Sequence, residues 1–208
     1  MALQGLPALY PILDNDVCAI RRLDPLALAA AWFRAGVGLL QLRHKEGPDH
    51  TFLGLSDTLT GLAHASGARL IVNDRADIAL MSNADGVHVG QHDLPVSELR
   101  ALVGPLATIG VSCHDPEQVN RALESAADYV AVGPIFATTT KEIGYDARGL
   151  DLVRYAAGRG KPVVAIGGIT LDTAAGVIRA GATAVAVISD LLAGNPEARI
   201  RQYLHVLS

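Results

Sequence analysis

Eight short apolar runs recur along this chain, and a stretch with helical character follows each of them. The runs are rich in Val, Ile, Leu and Ala and lack regular polar alternation, which is typical of strands buried on both faces of a parallel sheet. Strands that alternate strictly with helices are expected to lie parallel and to be joined by right-handed crossovers. The predicted strands cover residues 9–14, 37–42, 69–72, 86–89, 107–111, 129–132, 162–166 and 183–187.

Eight strand–helix units within 208 residues predict an α/β fold, a (β/α)8 TIM barrel that forms a single domain over residues 1–208. An open doubly wound sheet is the alternative, and the lack of a GxGxxG motif after the first strand disfavours it. Asp24-Pro25 predicts the start of the first helix, and Gly36 predicts its end. The other helices are predicted at 48–66, 76–81, 95–102, 116–126, 150–157 and 171–180, with a last helix running towards residue 207.

Charge and composition exclude several classes of function. The formal net charge is −4, and the Lys and Arg residues are scattered, which argues against a protein that binds nucleic acid or an anionic membrane by bulk electrostatics. No apolar run reaches the roughly 18 residues of a membrane span, and the N-terminus does not resemble a signal peptide. Cys18 and Cys113 form no CxxC pattern, so two free thiols in a reducing compartment are expected. These features predict a soluble, cytoplasmic protein; a homo-oligomer is compatible with the sequence, which does not fix the oligomeric state.

Polar residues gather directly after the predicted strands. In a TIM barrel the active site is built at the carboxyl ends of the strands, so these residues are expected to share one pocket. Polar residues at any single strand end can be explained by contact with solvent. Polar residues at seven strand ends together favour a binding site. In strand order the candidates are Gln41, Arg43 and Lys45; Asn73 and Asp74; Gln91 and Asp93; Ser112 and His114; Thr138, Thr139, Thr140 and Lys141; Gly167 and Gly168; and Ser189.

The charged candidates indicate a metal–phosphate site. Arg43, Lys45 and Lys141 would repel one another in one pocket unless an anion lay between them. Asp74 and Asp93 end neighbouring strands, close enough to share one Mg²⁺, which usually takes one or two carboxylates and completes its shell with water and substrate phosphate. The alternative for both aspartates is N-capping of the helices that follow them.

Two segments suggest phosphate contacts, and one histidine is ambiguous. The loop from Thr138 to Lys141 offers three hydroxyls and an ammonium, which suit a phosphate cradle, although an ordinary Thr-rich surface loop would look the same. Gly167-Gly168 and Ser189 match the usual phosphate position of barrels after strands seven and eight. The pocket is therefore expected to bind two phosphorylated ligands. His114 is either an acid–base residue or a structural one.

Several of these segments together resemble the thiamine phosphate synthase family. The matching pieces are QLRHK (41–45), ND (73–74), ADGVHVGQHD (84–93), GVS (110–112), ADYVAVGPIFATTTK (127–141), VVAIGGI (163–169) and AVAVIS (184–189). The resemblance implies a transferase that joins 4-amino-2-methyl-5-(diphosphooxymethyl)pyrimidine to a (carboxy)thiazole phosphate, giving thiamine phosphate and pyrophosphate. It further implies that the pyrimidine C–O bond ionises first and that the thiazole nitrogen then captures the cation.

The resemblance also implies a role for each matching residue. Asp74 and Asp93 would hold Mg²⁺ on the diphosphate. Arg43, Lys45, Lys141 and Ser112 would act in catalysis by stabilising the charge that accumulates on the leaving pyrophosphate. The pyrimidine diphosphate would be bound by Gln41, Arg43, Lys45, Asn73, Ser112 and Lys141, and the thiazole phosphate by Thr138, Thr139, Thr140, Gly168, Ile188 and Ser189.

Two other functions are consistent with parts of the sequence. A thiazole tautomerase, similar in fold and sequence, would use His114 as its acid–base group, but it has no need of the metal–diphosphate residues Asp74 and Asp93. A non-catalytic sensor of thiamine phosphates is the second alternative, and the chain has no extra domain or basic tail to pass on a signal. The segment 142–149 is either a cover over the site or a spacer to the next helix.

Overall fold

The eight strands form a closed parallel barrel in sequence order, as the alternation predicts. A computed structural model of the protein describes residues 5–137 and 146–208. Each strand pairs with the next in parallel, and β1 closes the barrel by pairing with β8. The strand ends differ from the predicted ones by at most two residues. The strands are β1 Leu9–Asp14, β2 Leu39–Arg43, β3 Arg69–Asn73, β4 Gly86–Val89, β5 Thr108–Cys113, β6 Tyr129–Val132, β7 Val163–Ile166 and β8 Ala184–Val187.

Helices surround the barrel, and two short ones were not predicted. The α-helices are α1 Asn15–Arg21, α2 Pro25–Arg34, α3 Asp49–Ala65, α4 Ala76–Met81, α5 Val96–Val103, α6 Pro116–Glu124, α7 Gly149–Ala156, α8 Leu171–Arg179 and α9 Pro196–Val206, and a 3-10 helix covers Ser189–Leu192. The sequence interpretation missed α1 and the 3-10 helix. Within the described residues no helix is both long and apolar enough to span a bilayer.

The strands bury side chains on both faces, in two separate apolar layers. Leu40, Leu42 and Val72 point outwards and pack with Trp32 and other residues of the surrounding helices. The alternate residues point inwards and fill the barrel, because successive side chains of a strand project to opposite faces. This interior layer includes Leu6, Tyr10, Ile12, Leu39, Ile71, Tyr129, Ala131, Val164, Ala184 and Ala186. The inward positions beyond this layer, at the carboxyl ends of the strands, are where a binding site can form.

Candidate active site

A small cavity of about 30 Å³ lies at the carboxyl ends of the strands. Four of the residues proposed from the sequence line it with polar side chains, namely Gln41, Arg43, Asn73 and Ser112, and Ile188 lies on the opposite wall. These side chains converge because each one occupies an inward position near the end of its strand. The other lining residues are Tyr10, Ile12, His88, Ala131, Val164, Ile166 and Ala186. Tyr10 and His88 were not among the predicted site residues.

Two of the three predicted phosphate-binding cations are paired with carboxylates. Arg43 Nη1 donates to Asp14 Oδ2 at 2.5 Å, and the Asp14 side chain is only 1% exposed. The Lys45 ammonium forms an ion pair with the carboxylate of Asp74. The sequence argument required an anion to hold these cations together, and in the structure the protein itself supplies two. Pairing is expected for Arg43, because an unpaired charge out of water is costly.

The unpredicted helix α1 holds the loop that follows β2. Asp14 starts this helix by accepting the backbone N–H groups of Asp16 and Val17 at 3.1 Å each. Asp16 Oδ2 accepts the backbone N–H of Lys45 at 2.8 Å, and Asn15 Nδ2 lies 2.9 Å from Nδ1 of His44. Helix α1 therefore fixes the backbone that carries the predicted cations. The sequence signal for it was the carboxylate Asp14, which caps a helix immediately after ending a strand.

The helix-capping alternative for Asp74 and Asp93, the two aspartates predicted to bind a metal, is wrong. Helix α4 has Arg75 at its N-cap and α5 has Pro95, and neither helix start has a side-chain capping hydrogen bond. Asp74 instead has a left-handed backbone, with φ of 64°, and its carboxylate turns to Lys45. Asp93 accepts the backbone N–H of Gly90 at 2.7 Å, within its own turn.

The donor chemistry of Asp74 and Asp93 suits Mg²⁺. Both offer hard carboxylate oxygens in the turns that follow the neighbouring strands β3 and β4. Among residues 5–137 and 146–208, no group of three or more His, Cys, Asp or Glu side chains could hold a metal ion. A magnesium ion here would therefore need water and phosphate oxygens to complete its shell, which is the usual arrangement for Mg²⁺ on a substrate phosphate.

A row of four hydrogen bonds, which we call the interior chain, crosses the barrel beneath the cavity. Gln41 Nε2 donates to Tyr10 Oη at 3.1 Å, and Tyr10 Oη lies 3.0 Å from Tyr129 Oη. Tyr129 Oη lies 2.9 Å from His88 Nδ1, and His88 Nε2 lies 2.9 Å from Ser112 Oγ. Burial raises the pKa of both tyrosines well above the usual range, so both remain phenols. Gln41 and Ser112, at the two ends, are both predicted ligand-binding residues.

A glycine in β5 makes room for this chain. A Cβ atom on Gly110 would lie 2.0 Å from Tyr129 Cζ and 2.5 Å from His88 Nδ1. Any side chain at this position would therefore displace the phenol or the imidazole from the barrel interior. Gly110 belongs to the GVS segment that the sequence comparison singled out, and its packing role was not visible there.

The glycine pair after β7 is required by both conformation and packing. Gly167 and Gly168 have φ of 101° and 63°, a region that favours glycine. A Cβ atom on Gly168 would lie 2.5 Å from the carbonyl oxygen of Ala137, so the loop after β6 packs directly on this pair. The predicted second phosphate site thus adjoins Ala137, the last described residue before Thr138, Thr139, Thr140 and Lys141. Those four residues lie outside the described part of the chain, as do residues 142–145.

Asp190 fills the N-terminus of α8, next to the predicted phosphate contact Ser189. Its carboxylate accepts the N–H of Leu171 at 3.1 Å, a hydrogen bond from Arg199 at 2.8 Å and one from Tyr203 Oη at 2.6 Å. Burial acts to raise the pKa of Asp190, but the hydrogen bonds from Arg199 and Tyr203 outweigh it and lower the pKa. The start of α8 is therefore already occupied by a carboxylate of the protein.

His114 is hydrogen-bonded to the turn after β6, and its acid–base role stays a prediction. Its Nδ1 lies 2.7 Å from the carbonyl oxygen of Gly133, to which it donates, and its backbone N–H donates to Gln118 Oε1 at 2.7 Å. Gly133 precedes Pro134 through a cis peptide bond, so His114 braces the turn after β6. The described residues that line the cavity include Ser112 at the end of β5 but not His114, which follows that strand.

Comparison with known proteins identifies close relatives of this barrel. The family model for thiamine monophosphate synthase matches residues 9–191. A thiamine-phosphate synthase from Roseiflexus castenholzii is 42% identical over 199 residues, which cover 95% of this chain and 86% of that protein. One from Koribacter versatilis is 42% identical over 208 residues, covering 97% and 96%. The solved thiamine phosphate pyrophosphorylase from Pyrococcus furiosus superposes with a TM-score of 0.85 at 28% identity, over 96% of this chain and 95% of its own.

Proposed function

The chain belongs to the thiamine monophosphate synthase family, and from this we propose that its barrel mouth joins a pyrimidine diphosphate to a thiazole phosphate. The products are thiamine phosphate and pyrophosphate. The observation that carries the proposal is the convergence of Gln41, Arg43, Asn73 and Ser112 in one cavity, beside the ion pair of Lys45 with Asp74. A cluster of this kind offers cationic and neutral donors to a diphosphate and an amide to a heterocycle.

Arg43 has donors to spare for the diphosphate. Asp14 accepts from one of the five N–H groups of the guanidinium, and within the described residues Arg43 Nε is buried without a hydrogen-bond partner. A diphosphate oxygen at the cavity would supply that missing acceptor. Because Asp14 keeps the guanidinium in place, its orientation does not depend on the ligand, and preorganised donors of this kind stabilise developing charge best.

Asp74 and Asp93 would hold Mg²⁺ together with the diphosphate and water. The ion supplies charge neutralisation for the leaving pyrophosphate. Since Asp74 is paired with Lys45, a metal would compete with the Lys45 ammonium for the same carboxylate. The diphosphate gives Lys45 a second anion to bind, so the ammonium can turn to the phosphate when Asp74 is taken.

Charge stabilisation is the task that the remaining residues would share. The benzylic C–O bond of the pyrimidine would break first, its electron pair leaving with the pyrophosphate oxygen, and the thiazole nitrogen lone pair would then form the new C–N bond with the cation. Arg43, Lys45, Lys141 and Ser112 would stabilise the growing negative charge, and Asn73 would help to position the diphosphate. The thiazole phosphate would bind Thr138, Thr139, Thr140, Gly168, Ile188 and Ser189, next to the turn that Asp190 anchors.

Two further expectations accompany this function. The barrel over residues 1–208 would be one catalytic domain that acts on small phosphorylated molecules and binds neither nucleic acid nor membrane. The reaction would take place in the cytoplasm, where Cys18 and Cys113, both buried and free, would stay reduced.

The experiment that tests the function measures pyrophosphate release from both substrates with Mg²⁺, with and without EDTA. We expect release that requires both substrates, stops with EDTA and returns with excess Mg²⁺. Release from the pyrimidine diphosphate alone, or full activity in EDTA, would contradict the proposed reaction or the proposed metal. Circular dichroism in EDTA checks that the chelator leaves the fold intact.

Substitution of one aspartate separates the synthase from the tautomerase alternative. Asp93→Ala removes a proposed metal ligand and should lower kcat/KM at least about a hundredfold. Asp151→Ala, which removes an exposed carboxylate on α7, is the matched control and should leave activity unchanged. A tautomerase acting through His114 would lose little activity in Asp93→Ala.

A further inference from the structure

Each hydrogen bond of the interior chain has one hydrogen available to it. If one member donates to the next, every later member must therefore donate in the same direction along the chain. A phenol and a serine hydroxyl each carry one hydrogen, and a neutral imidazole carries one hydrogen on one of its two nitrogens. With Gln41 Nε2 donating to Tyr10, the Tyr10 hydroxyl hydrogen turns to Tyr129. Tyr129 then donates to Nδ1 of His88, which leaves the hydrogen of the ring on Nε2.

This direction determines what the two ends present to a ligand. His88 Nε2–H donates to Ser112 Oγ, so the hydroxyl hydrogen of Ser112 is turned towards the cavity as a donor. At the other end, one N–H of the Gln41 amide is used by Tyr10, and the carbonyl and the second N–H remain side by side for a ligand. Rotating the Gln41 amide by half a turn would require every link to reverse, and Ser112 would then become an acceptor.

We propose that Tyr10, Tyr129 and His88 are positioning residues that set the substrate specificity of Gln41 and the donor role of Ser112. An adjacent acceptor and donor on Gln41 match an aromatic edge with an amino group beside a ring nitrogen, as in a 4-aminopyrimidine. A 4-oxopyrimidine presents the reverse order and would be rejected. The inference rests on the proposed function, because it takes Gln41 and Ser112 as contacts of the pyrimidine diphosphate.

Burial makes the interior chain suitable for this role. Tyr10 and Tyr129 are 1% and 0% exposed, so their hydrogen bonds form away from bulk water, where each link is strong. Burial also keeps both phenols protonated, because it raises their pKa values. Gly110 leaves the space in which Tyr129 and His88 meet, and the two rings stack at a centroid distance of 5.6 Å. A partly broken chain would leave unpaired polar groups in the core, and both directions would then become accessible.

The first test reads the tautomer of His88 by ¹⁵N NMR of the protein without ligand. We expect the wild-type ring to carry its hydrogen on Nε2, and we expect Tyr129→Phe, which removes the donor to Nδ1, to give a mixture of tautomers. Tyr155→Phe is the matched control, since it removes an exposed hydroxyl far from the barrel interior. A wild-type ring protonated on Nδ1 would overturn the proposed direction.

The second test measures how strongly the protein prefers the amino compound. Calorimetry with the 4-amino and 4-oxo pyrimidine diphosphates gives a ratio of dissociation constants for each variant. We expect the ratio to fall about tenfold or more in Tyr10→Phe and in Tyr129→Phe, the scale of one buried hydrogen bond, and to stay constant in Tyr155→Phe. Using both variants keeps the test decisive if one of them folds poorly. An unchanged ratio in a folded variant would refute the specificity role.

The two tests separate this inference from the proposed function. Neither measurement needs turnover, so a wild-type protein with the expected tautomer and selectivity but no pyrophosphate release would contradict the reaction alone. Active wild-type protein whose variants keep full selectivity would contradict the inference alone.

Discussion

Asp14 connects the Arg43 guanidinium to helix α1, and the cavity depends on both, so removal of Asp14 should lower the stability of the fold. Asp14→Ala deletes the buried acceptor of Arg43 and the cap of α1 in one step. It leaves the Arg43 guanidinium, 14% exposed, without its carboxylate. We therefore expect a large loss in the free energy of unfolding, combined with weaker binding of the pyrimidine diphosphate, because both the guanidinium and the loop after β2 lose their support.

The size of the loss can be worked out from these contacts. Removing one partner of a buried ion pair costs about 3–5 kcal/mol, and removing an N-cap costs about 1 kcal/mol. Arg43 can move partly towards solvent, so we take the lower end and expect about 3–4 kcal/mol in total for Asp14→Ala. Asp24→Ala is the matched control: Asp24 caps α2 by accepting from Leu26 and Ala27, but it is exposed and has no ion pair with any residue of 5–137 or 146–208. Its removal should cost only about 1 kcal/mol.

Urea unfolding at pH 7 measures both variants, with the slope of unfolding checked for equality. The decisive quantity is the difference between Asp14→Ala and Asp24→Ala, expected at about 2–3 kcal/mol. A difference below about 1 kcal/mol would refute the argument that the ion pair supports the fold. The double variant Asp14→Ala with Arg43→Met adds a further check, because removing the unpaired charge should recover part of the lost stability.

Three other perturbations test separate features. Gly110→Ala places a methyl group against an interior phenol and should destabilise the barrel by about 2–3 kcal/mol in urea, whereas Gly54→Ala in α3, where the space is open, should be neutral or stabilising. The folded-state pKa of Asp190 lies below its unfolded value, so its contribution to the free energy of unfolding is present above about pH 4 and is lost as the pH falls through the folded pKa. The difference in stability between the wild type and Asp190→Asn should therefore narrow in acid. A difference that stays constant with pH would contradict the ion pair of Asp190 with Arg199. Burial raises the pKa of Cys18 to about 11 and that of Cys113 to about 12, so neither thiol should react with a disulfide reagent at pH 8 until urea unfolds the chain, and rapid labelling of the folded protein would contradict their burial.

The barrel could be predicted because its strands are visible in the sequence as apolar runs with clear ends. The predicted bounds of β1, β4, β6 and α4 coincide with those of the structure. Helix α1 could not be predicted in the same way, because its start lacks a Pro or Gly signal and its cap, Asp14, was already used as the end of β1. When one side chain both ends a strand and caps the next helix, the sequence pattern reveals only one of these two roles.

Only some of the residues that line the cavity could be predicted, because the strands show their polar residues in the sequence but not which side chains point inwards. Gln41, Arg43, Asn73 and Ser112 are polar residues in apolar runs or at their ends, so their presence at the mouth was visible from the sequence. Tyr10 and His88 line the same cavity, but a run that is apolar on both faces carries no alternation from which to read which residues point inwards. The register of the closed barrel was needed to place Tyr10 beside Tyr129, which is 119 residues away.

The pairing of the cations changes how the site should be understood. The sequence argument treated Arg43 and Lys45 as charges that need a bound anion, but each has a carboxylate of the protein as its partner. The two pairs differ in burial: Asp14 is 1% exposed, while Lys45 and Asp74 are 43% and 18% exposed. The buried pair is costly to break and therefore acts as fixed structure, whereas the exposed pair is worth about 1 kcal/mol or less and can exchange partners. It follows that Arg43 should bind a diphosphate without moving, and that Lys45 should be the cation that reorients when a metal takes Asp74.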